Sequence, residues 1–318
     1  MQGTLGYIIR RLLWAPVILF AVSFIAFLVT RLGPGDPISV AAGQLRNPEA
    51  VARVKAELGL DKPFYEQYGI YVKNLLTEGD LGESYRFRGI AVSEIIFPKM
   101  WVSAQLGFVA LLITFGLGIP VGVLAALRQG TWMDPASISA FLFFQSVPVL
   151  VTVPVMLLVF VLKLGWLPAG GWDGVFSKAI VIPALALSLP GVAGVARLTR
   201  ATTLAVLLED YVRTARAKGL QEFTVISRHV VRNALLPLTT VIGISLVTLL
   251  EGAFFTEYLM GIPGIGRLAF ESVGSRDYNV ILGLTLVLAT AFIVANIVID
   301  IAYTFIDPRV RYERSAAV

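Results

Sequence analysis

LLWAPVILFAVSFIAFLV, residues 12–29, decides the fold: eighteen consecutive residues carry no charge and a single hydroxyl, Ser23. A bilayer core about 30 Å thick takes roughly 20 mostly apolar residues as a helix. Backbone amides inside hydrocarbon need partners within their own segment, so such a run must be helical. Arg10 and Arg11 precede it, as basic residues precede a secretory signal. The run is longer than a signal core, however, and no small-residue cleavage pattern follows it. It reads as a retained membrane helix.

Five further stretches meet the same requirement. With the first, at about 8–30, they are 101–126, 136–163, 180–198, 236–258 and 281–305. The sequence thus predicts an all-α polytopic membrane protein with six transmembrane helices. Composition agrees: 57% of the 318 residues are hydrophobic and only 15% are charged, against roughly 45–50% and about 25% in soluble domains. The fourth stretch, with Pro183, Pro190 and several glycines, suits a helix buried among others, where small residues permit close approach.

The net charge of +5 is a topology signal rather than a nucleic-acid signal, because the excess sits in short loops beside apolar segments. With the N-terminus inside, the inner loops hold thirteen Lys and Arg against four at the outer ends. Both termini are therefore expected to be cytoplasmic. The predicted division is a tail and first helix over 1–30, an external helical segment over 31–98, a core over 99–305 with a cytoplasmic loop at 197–235, and a cytoplasmic tail over 306–318. Within the external segment, NPEAVARVKAELGLDKPFYEQYGIYVKNLL predicts two amphipathic helices broken between Gly59 and Pro63, with Asn47 as N-cap and Pro48 in the first turn.

Several chemistries are missing. There is no cysteine and one histidine, His229, so thiolate chemistry and a histidine-rich metal site are excluded. No phosphate-binding G-x-x-x-x-G-K-[ST] loop occurs, and His229 reads as a solvated loop residue. No catalytic constellation emerges, so the chain itself is expected to be no enzyme and to carry no cofactor. Candidates for a translocation pathway are Glu251, deep in the fifth segment, and Gln145 in the third, because polar groups at membrane depth face a bundle interior or an aqueous cavity.

The informative loop is ARLTRATTLAVLLEDYVRTARAKGLQEFTVISRHVVRNALLP, Ala196 to Pro237. Leu204, Leu207, Leu208, Tyr211 and Val212 recur at helical spacing, and Val225, Ile226, Val230 and Val231 do so after Lys218-Gly219. Two short amphipathic helices joined at a glycine corner follow. They suit docking into a partner's groove or lying on anionic lipid, and spacing leaves both open.

Within it, YVRTARAKGL followed by RHVVRNALLP closely resembles the cytoplasmic coupling loop of ABC-importer permeases, in the form used by the dipeptide/oligopeptide permease family. The superfamily pattern, Glu-Ala-Ala, three residues, Gly, falls on Arg213, Thr214, Ala215 and Gly219. Two residues of that pattern are replaced, in the manner of the peptide subfamily. YIIRRLLWAPVILFAVSFIAFLVTRLGPGDP, GDLGESYRFRGIAVSEIIFPKMWVSAQLG, FFTEYLMGIPGIGRLAFESVGSRDYNVILG and YTFIDPRVRY resemble that family in the same order along the chain.

What the resemblance implies is the type I ABC-importer permease fold in a bacterial or archaeal inner membrane. Its partners would be the lipid bilayer, a second homologous permease, two ATP-binding subunits that bind ATP and Mg, and an external solute-binding protein. Tyr211, Arg213, Thr214, Ala215, Arg216, Lys218 and Gly219 would couple to an ATPase. Gly261, Pro263, Gly264, Gly266 and Arg267 would form an outer gate or touch the binding protein. Peptides are the first cargo reading; oligosaccharides, nickel complexes and glutathione are carried by relatives in that family. The contrasting class is an ion-coupled secondary transporter, against which the basic loop and the missing network of midplane charges argue.

Overall fold

The computed structural model describes residues 2–32, 48–57, 59–248 and 253–306. Among them there is no strand, only helices: α1 Gln2–Leu32, α2 Pro48–Glu57, α3 Phe64–Glu78, α4 Val92–Leu127, α5 Met133–Ser146, α6 Val149–Met156, α7 Val181–Leu207 and α8 Asp210–Ala217. A composite helical segment at 222–234 follows, here α9, then α10 Leu238–Thr248, α11 Phe254–Met260, α12 Ile265–Ser275 and α13 Tyr278–Ile306. Stretches within α1, α4 and α13, and one running from Lys178 through α7, are long and apolar enough to cross a membrane; α5 and the helix after it are so only as a bent pair, which has the form of a broken span or of a re-entrant loop.

Five of the six predicted stretches fall on these helices, with three corrections, and the fifth is described only as α10 and α11. The third stretch, expected as one helix over 136–163, bends by 103° between its halves. Pro148 lacks an N–H and forces Val147 out of the helical region, to φ −94 and ψ 122. The fourth, expected to end at 198, runs on to Leu207, so the first residues of the predicted loop are helix. Its continuation keeps Thr199 and Thr203 fully buried, which holds the helical phase past Arg197. The second begins at Val92, inside the segment assigned to 31–98, because Val92 and Ile96 are core residues there. In the fifth stretch, α10 and α11 flank residues 249–252, so Glu251 lies outside the described residues, as do Asn47 and most of YTFIDPRVRY.

Contacts divide the chain into two compact units. The first comprises residues 1–103, 250–254 and 263–318. In it Tyr68 of α3 meets α1, its hydroxyl 2.8 Å from Ser23 Oγ, inside an aromatic cluster with Phe24, Phe27 and Phe64. Leu282 of α13 packs on the same cluster. Gly59, at φ 64, makes the corner between α2 and α3 expected from the sequence.

The second unit comprises 104–249 and 255–262. The stretch centred on α7 is the most buried of the candidate spans, 67% of its most apolar window against 28% or less for the others, as its proline and small residues foretold. Close approach is the reason. A Cβ on Gly122 of α4 would stand 2.5 Å from the Ala196 carbonyl of α7, and Thr114 donates to the Ser188 carbonyl at 3.2 Å. Gly118, one turn earlier, would meet Val195 at 2.7 Å, so a small-x-x-x-small stripe lets the two backbones touch.

Candidate functional site

In the second unit, α8 and α9 form a closed hairpin. Its interior is Val212, Ala215, Val225 and Val230, all buried, with Val206 and Leu207 of α7 packed against them. Apolar residues at helical spacing on both arms thus face each other, which is why so short a pair of helices holds its shape. The corner is built by the backbone. Gly219 sits at φ 77, its N–H reaches the Arg216 carbonyl at 2.9 Å, and the Leu220 N–H reaches that of Ala215 at 3.4 Å. These are the two bonds of a Schellman cap, whose left-handed position favours glycine.

An ion pair closes the mouth of the hairpin. Arg216 meets Glu222 through two bonds, at 2.7 and 3.2 Å. Hydrogen bonding to the guanidinium holds the Glu222 carboxyl below its ordinary value, and Arg216 is raised in return. Arg213 is only loosely paired, 3.7 Å from Asp210, and Lys218 is exposed. Thr214 hydrogen-bonds its own helix through the Asp210 carbonyl. The structure therefore brings the seven predicted coupling residues between Tyr211 and Gly219 onto one hairpin but divides their tasks. Ala215, Arg216 and Gly219 hold it together, while Tyr211, Arg213 and Lys218 face outward.

Of the apolar half of the outer surface, sequence reasoning named Tyr211 for coupling and left Leu208, Leu220 and Phe223 without a role. Leu208 is 71% exposed and Phe223 80%, and Tyr211 and Leu220 are about two-fifths exposed. The signal was available: an apolar residue out of phase with the buried stripe on each arm. Four exposed apolar side chains on one small, rigid, basic hairpin mark an interaction surface.

A second polar site lies in the same unit, where α5 packs on α7. Arg200 grips Asp134 at the start of α5 with two bonds of 2.6 Å. One turn earlier on α7, Arg197 donates to Gln145 Oε1 at 3.3 Å. Asp134, Pro135, Ile138, Ser139, Arg197 and Arg200 line an open cleft of about 450 Å³. Gln145 was expected on the pathway; its partner was not, because residues 52 positions apart show no local signal.

The glycine-rich turn after α11 is also Schellman-capped. Gly261 takes φ 67, and the Ile262 N–H bonds the Glu257 carbonyl at 2.9 Å. Gly264 and Gly266 are buried, Pro263 is half-buried, and Arg267 pairs with Glu271 at 2.6 Å. Among the described residues no group of three or more His, Asp or Glu is placed to hold a metal ion.

Residues 118–312 match the family described as binding-protein-dependent transport system inner membrane component. Residues 4–87 match that of the membrane component's N-terminal part. The oligopeptide transport system permease protein OppB of Haemophilus influenzae is 37% identical over 308 residues, covering 97% of this chain and all of that protein. The dipeptide transport system permease protein DppB of Alkalihalophilus pseudofirmus is 36% identical over 334 residues, with the same coverage. Among solved structures, the methionine ABC transporter MetNI in an inward-facing conformation superposes with a TM-score of 0.50 at 16% identity, over 65% of this chain and 95% of that one. That likeness is one of fold.

Proposed function

We propose a function from one premise: this chain belongs to the family of binding-protein-dependent transport system inner membrane components. It is a membrane-embedded permease subunit of an importer, and its cargo is di- or oligopeptides, the cargo named in its relatives OppB and DppB. In a bacterial inner membrane, with both termini inside and six spans, it pairs with a second permease to enclose the path. Two ATPase subunits, which bind ATP and Mg, sit below, and a solute-binding protein delivers cargo from above.

The observation that carries this reading is the closed, outward-apolar hairpin. ATP-driven movement in one subunit must be converted into movement of a helical bundle in another. A lever for that purpose has to be stiff within itself and sticky on its outer face, because a flexible loop would absorb the displacement. The buried valines, the Schellman corner and the Arg216–Glu222 pair supply stiffness. Leu208, Tyr211, Leu220 and Phe223 supply adhesion, with Arg213 and Lys218 set to meet acidic groups on the partner's rim. α7 runs into the hairpin with only Leu208 and Glu209 between, so a displacement passes directly into the most buried of the candidate spans.

Affinity purification of the tagged chain in mild detergent tests this. The expected result is co-recovery of a second permease and two ATPase chains. Gly219→Val places a β-branched side chain at φ 77, which costs on the order of 1–2 kcal/mol. No atom crowds that position, so the strain falls on the corner alone. ATPase recovery should fall several-fold while the second permease stays bound. A chain that purifies alone and moves solute down an ion gradient would establish the secondary-transporter reading instead.

The turn at Gly261–Arg267 then serves an outer gate. Ile265 packs in the core with Leu81, Val92 and Leu284, which fixes the second half of the turn in place. Arg267→Ala is expected to lower uptake several-fold, and unchanged uptake would remove the turn from the gate. Glu251 keeps its place as a pathway candidate by sequence.

A further inference from the structure

Arg197 and Arg200 lie one turn apart on α7, yet their surroundings differ. Arg200 is neutralised by both oxygens of Asp134. Arg197 is exposed and donates to a neutral amide, Gln145. Among the described residues no carboxylate pairs with it. The cleft they share therefore carries one uncompensated positive charge.

The direction of that side chain is informative. Asp134 and Gln145 stand at opposite ends of α5, eleven residues apart, about 16 Å at helical rise. With Arg200 anchored at the first end, Arg197 must extend away from it, toward the break at Val147–Pro148. An arginine facing lipid near a helix end snorkels out to the headgroups. This one reaches along the helix to a point where the backbone itself leaves the helical path. Broken backbone at membrane depth is tolerated only where protein buries it or water-filled space adjoins it, and Gln145, Ser146 and Pro148 are all exposed. Phe143 and Leu150 are exposed on either side of the same break, so in the pair with a second permease proposed above this face would border the path that the two subunits enclose.

We infer that Arg197, steadied by Gln145, is the group in the translocation path that receives the carboxylate of the passing cargo, the Asp134–Arg200 pair holding α5 and α7 in register beneath it. The inference rests on the importer reading above and adds a specificity residue to it. A guanidinium offers two parallel donors to a carboxylate, and the weak bond to a neutral amide leaves that face available. Lysine would keep the charge without the fork.

The test uses the assembled importer with its own binding protein in proteoliposomes, and compares uptake of trialanine with that of its C-terminal amide. The same binding protein serves both variants, so its own preference cancels when the ratio is compared with wild type. Arg197→Gln is expected to lower the carboxylate-to-amide ratio about tenfold, and Arg197→Lys by much less. A ratio equal to wild type overturns the inference, including the case in which both uptakes fall together. A defect that strikes both peptides alike and vanishes without anionic lipid would assign the guanidinium to a phosphate headgroup, and also overturns it. A wild-type importer that takes up neither peptide would remove the peptide reading itself, and this role with it.

Discussion

Phe223→Asp is expected to strip the ATPase subunits from the purified complex while the membrane bundle stays folded. Phe223 opens the second arm of the hairpin and is 80% exposed. Its backbone carbonyl accepts the Ser227 hydroxyl at 2.7 Å, an arrangement that aspartate retains. Burying a phenylalanine ring is worth roughly 1.5–3 kcal/mol, and aromatic anchors at interface centres cost at least about 2 kcal/mol when truncated. A carboxylate in their place adds a desolvation penalty, so affinity should fall by at least about 30-fold. Blue-native electrophoresis of the complex reads the loss directly. Thermal unfolding of the chain should be unmoved, because an exposed ring contributes little to the fold. If the ATPases remain bound in full amount, the patch belongs to the membrane surface, the alternative the sequence left open.

The hairpin was legible because its determinants are local. A glycine after an amphipathic stretch signals a left-handed corner, and apolar spacing on each side signals which faces close. The long spans were legible for the same reason, since a bilayer demands a continuous apolar run and α1 and α13 supply one. Val147-Pro148 was equally present, but it lies inside an unbroken apolar stretch, and hydropathy does not register a bend. Arg197 and Arg200 were taken as the start of a loop because charge usually ends a span. Their helix continues because one charge is held by Asp134 and the other reaches Gln145, both on a helix far back in the chain. Pairings of that kind have no signature in a single sequence. Leu208, Leu220 and Phe223 on the exposed face of the hairpin were missed for another reason: the residues sought were those of the family pattern, and these lie beside it.

Asp277→Ala should produce the largest loss of stability in the first unit. Asp277 precedes α13 and is 2% exposed. Its carboxylate accepts the Ser84 hydroxyl, the Tyr85 N–H at 3.1 Å, the Arg86 N–H at 3.3 Å and, within its own helix start, the Val280 N–H at 3.4 Å. Alanine leaves these donors without an acceptor in a site water does not reach. Each orphaned buried donor costs about 1–3 kcal/mol, and the two longest bonds contribute least, so about 3–5 kcal/mol in total is expected. The consequence extends to α1. Arg31 at its last turn donates to the Tyr85 hydroxyl at 2.6 Å, and burial pushes the Tyr85 phenol up despite that guanidinium, so the acceptor stays neutral. Loop 83–86 is thus a strap from the end of α1 to the start of α13. Its release should lower the melting temperature in detergent by several degrees and loosen the backbone at Arg86 and Arg88, already on the surface, so that trypsin cuts there faster. Asp277→Asn, which keeps one acceptor oxygen, should fall between alanine and wild type. A melting curve and a cleavage pattern unchanged in Asp277→Ala would mean that the apolar cluster of Leu81, Val92, Ile96 and Leu284 holds the strap without the carboxylate.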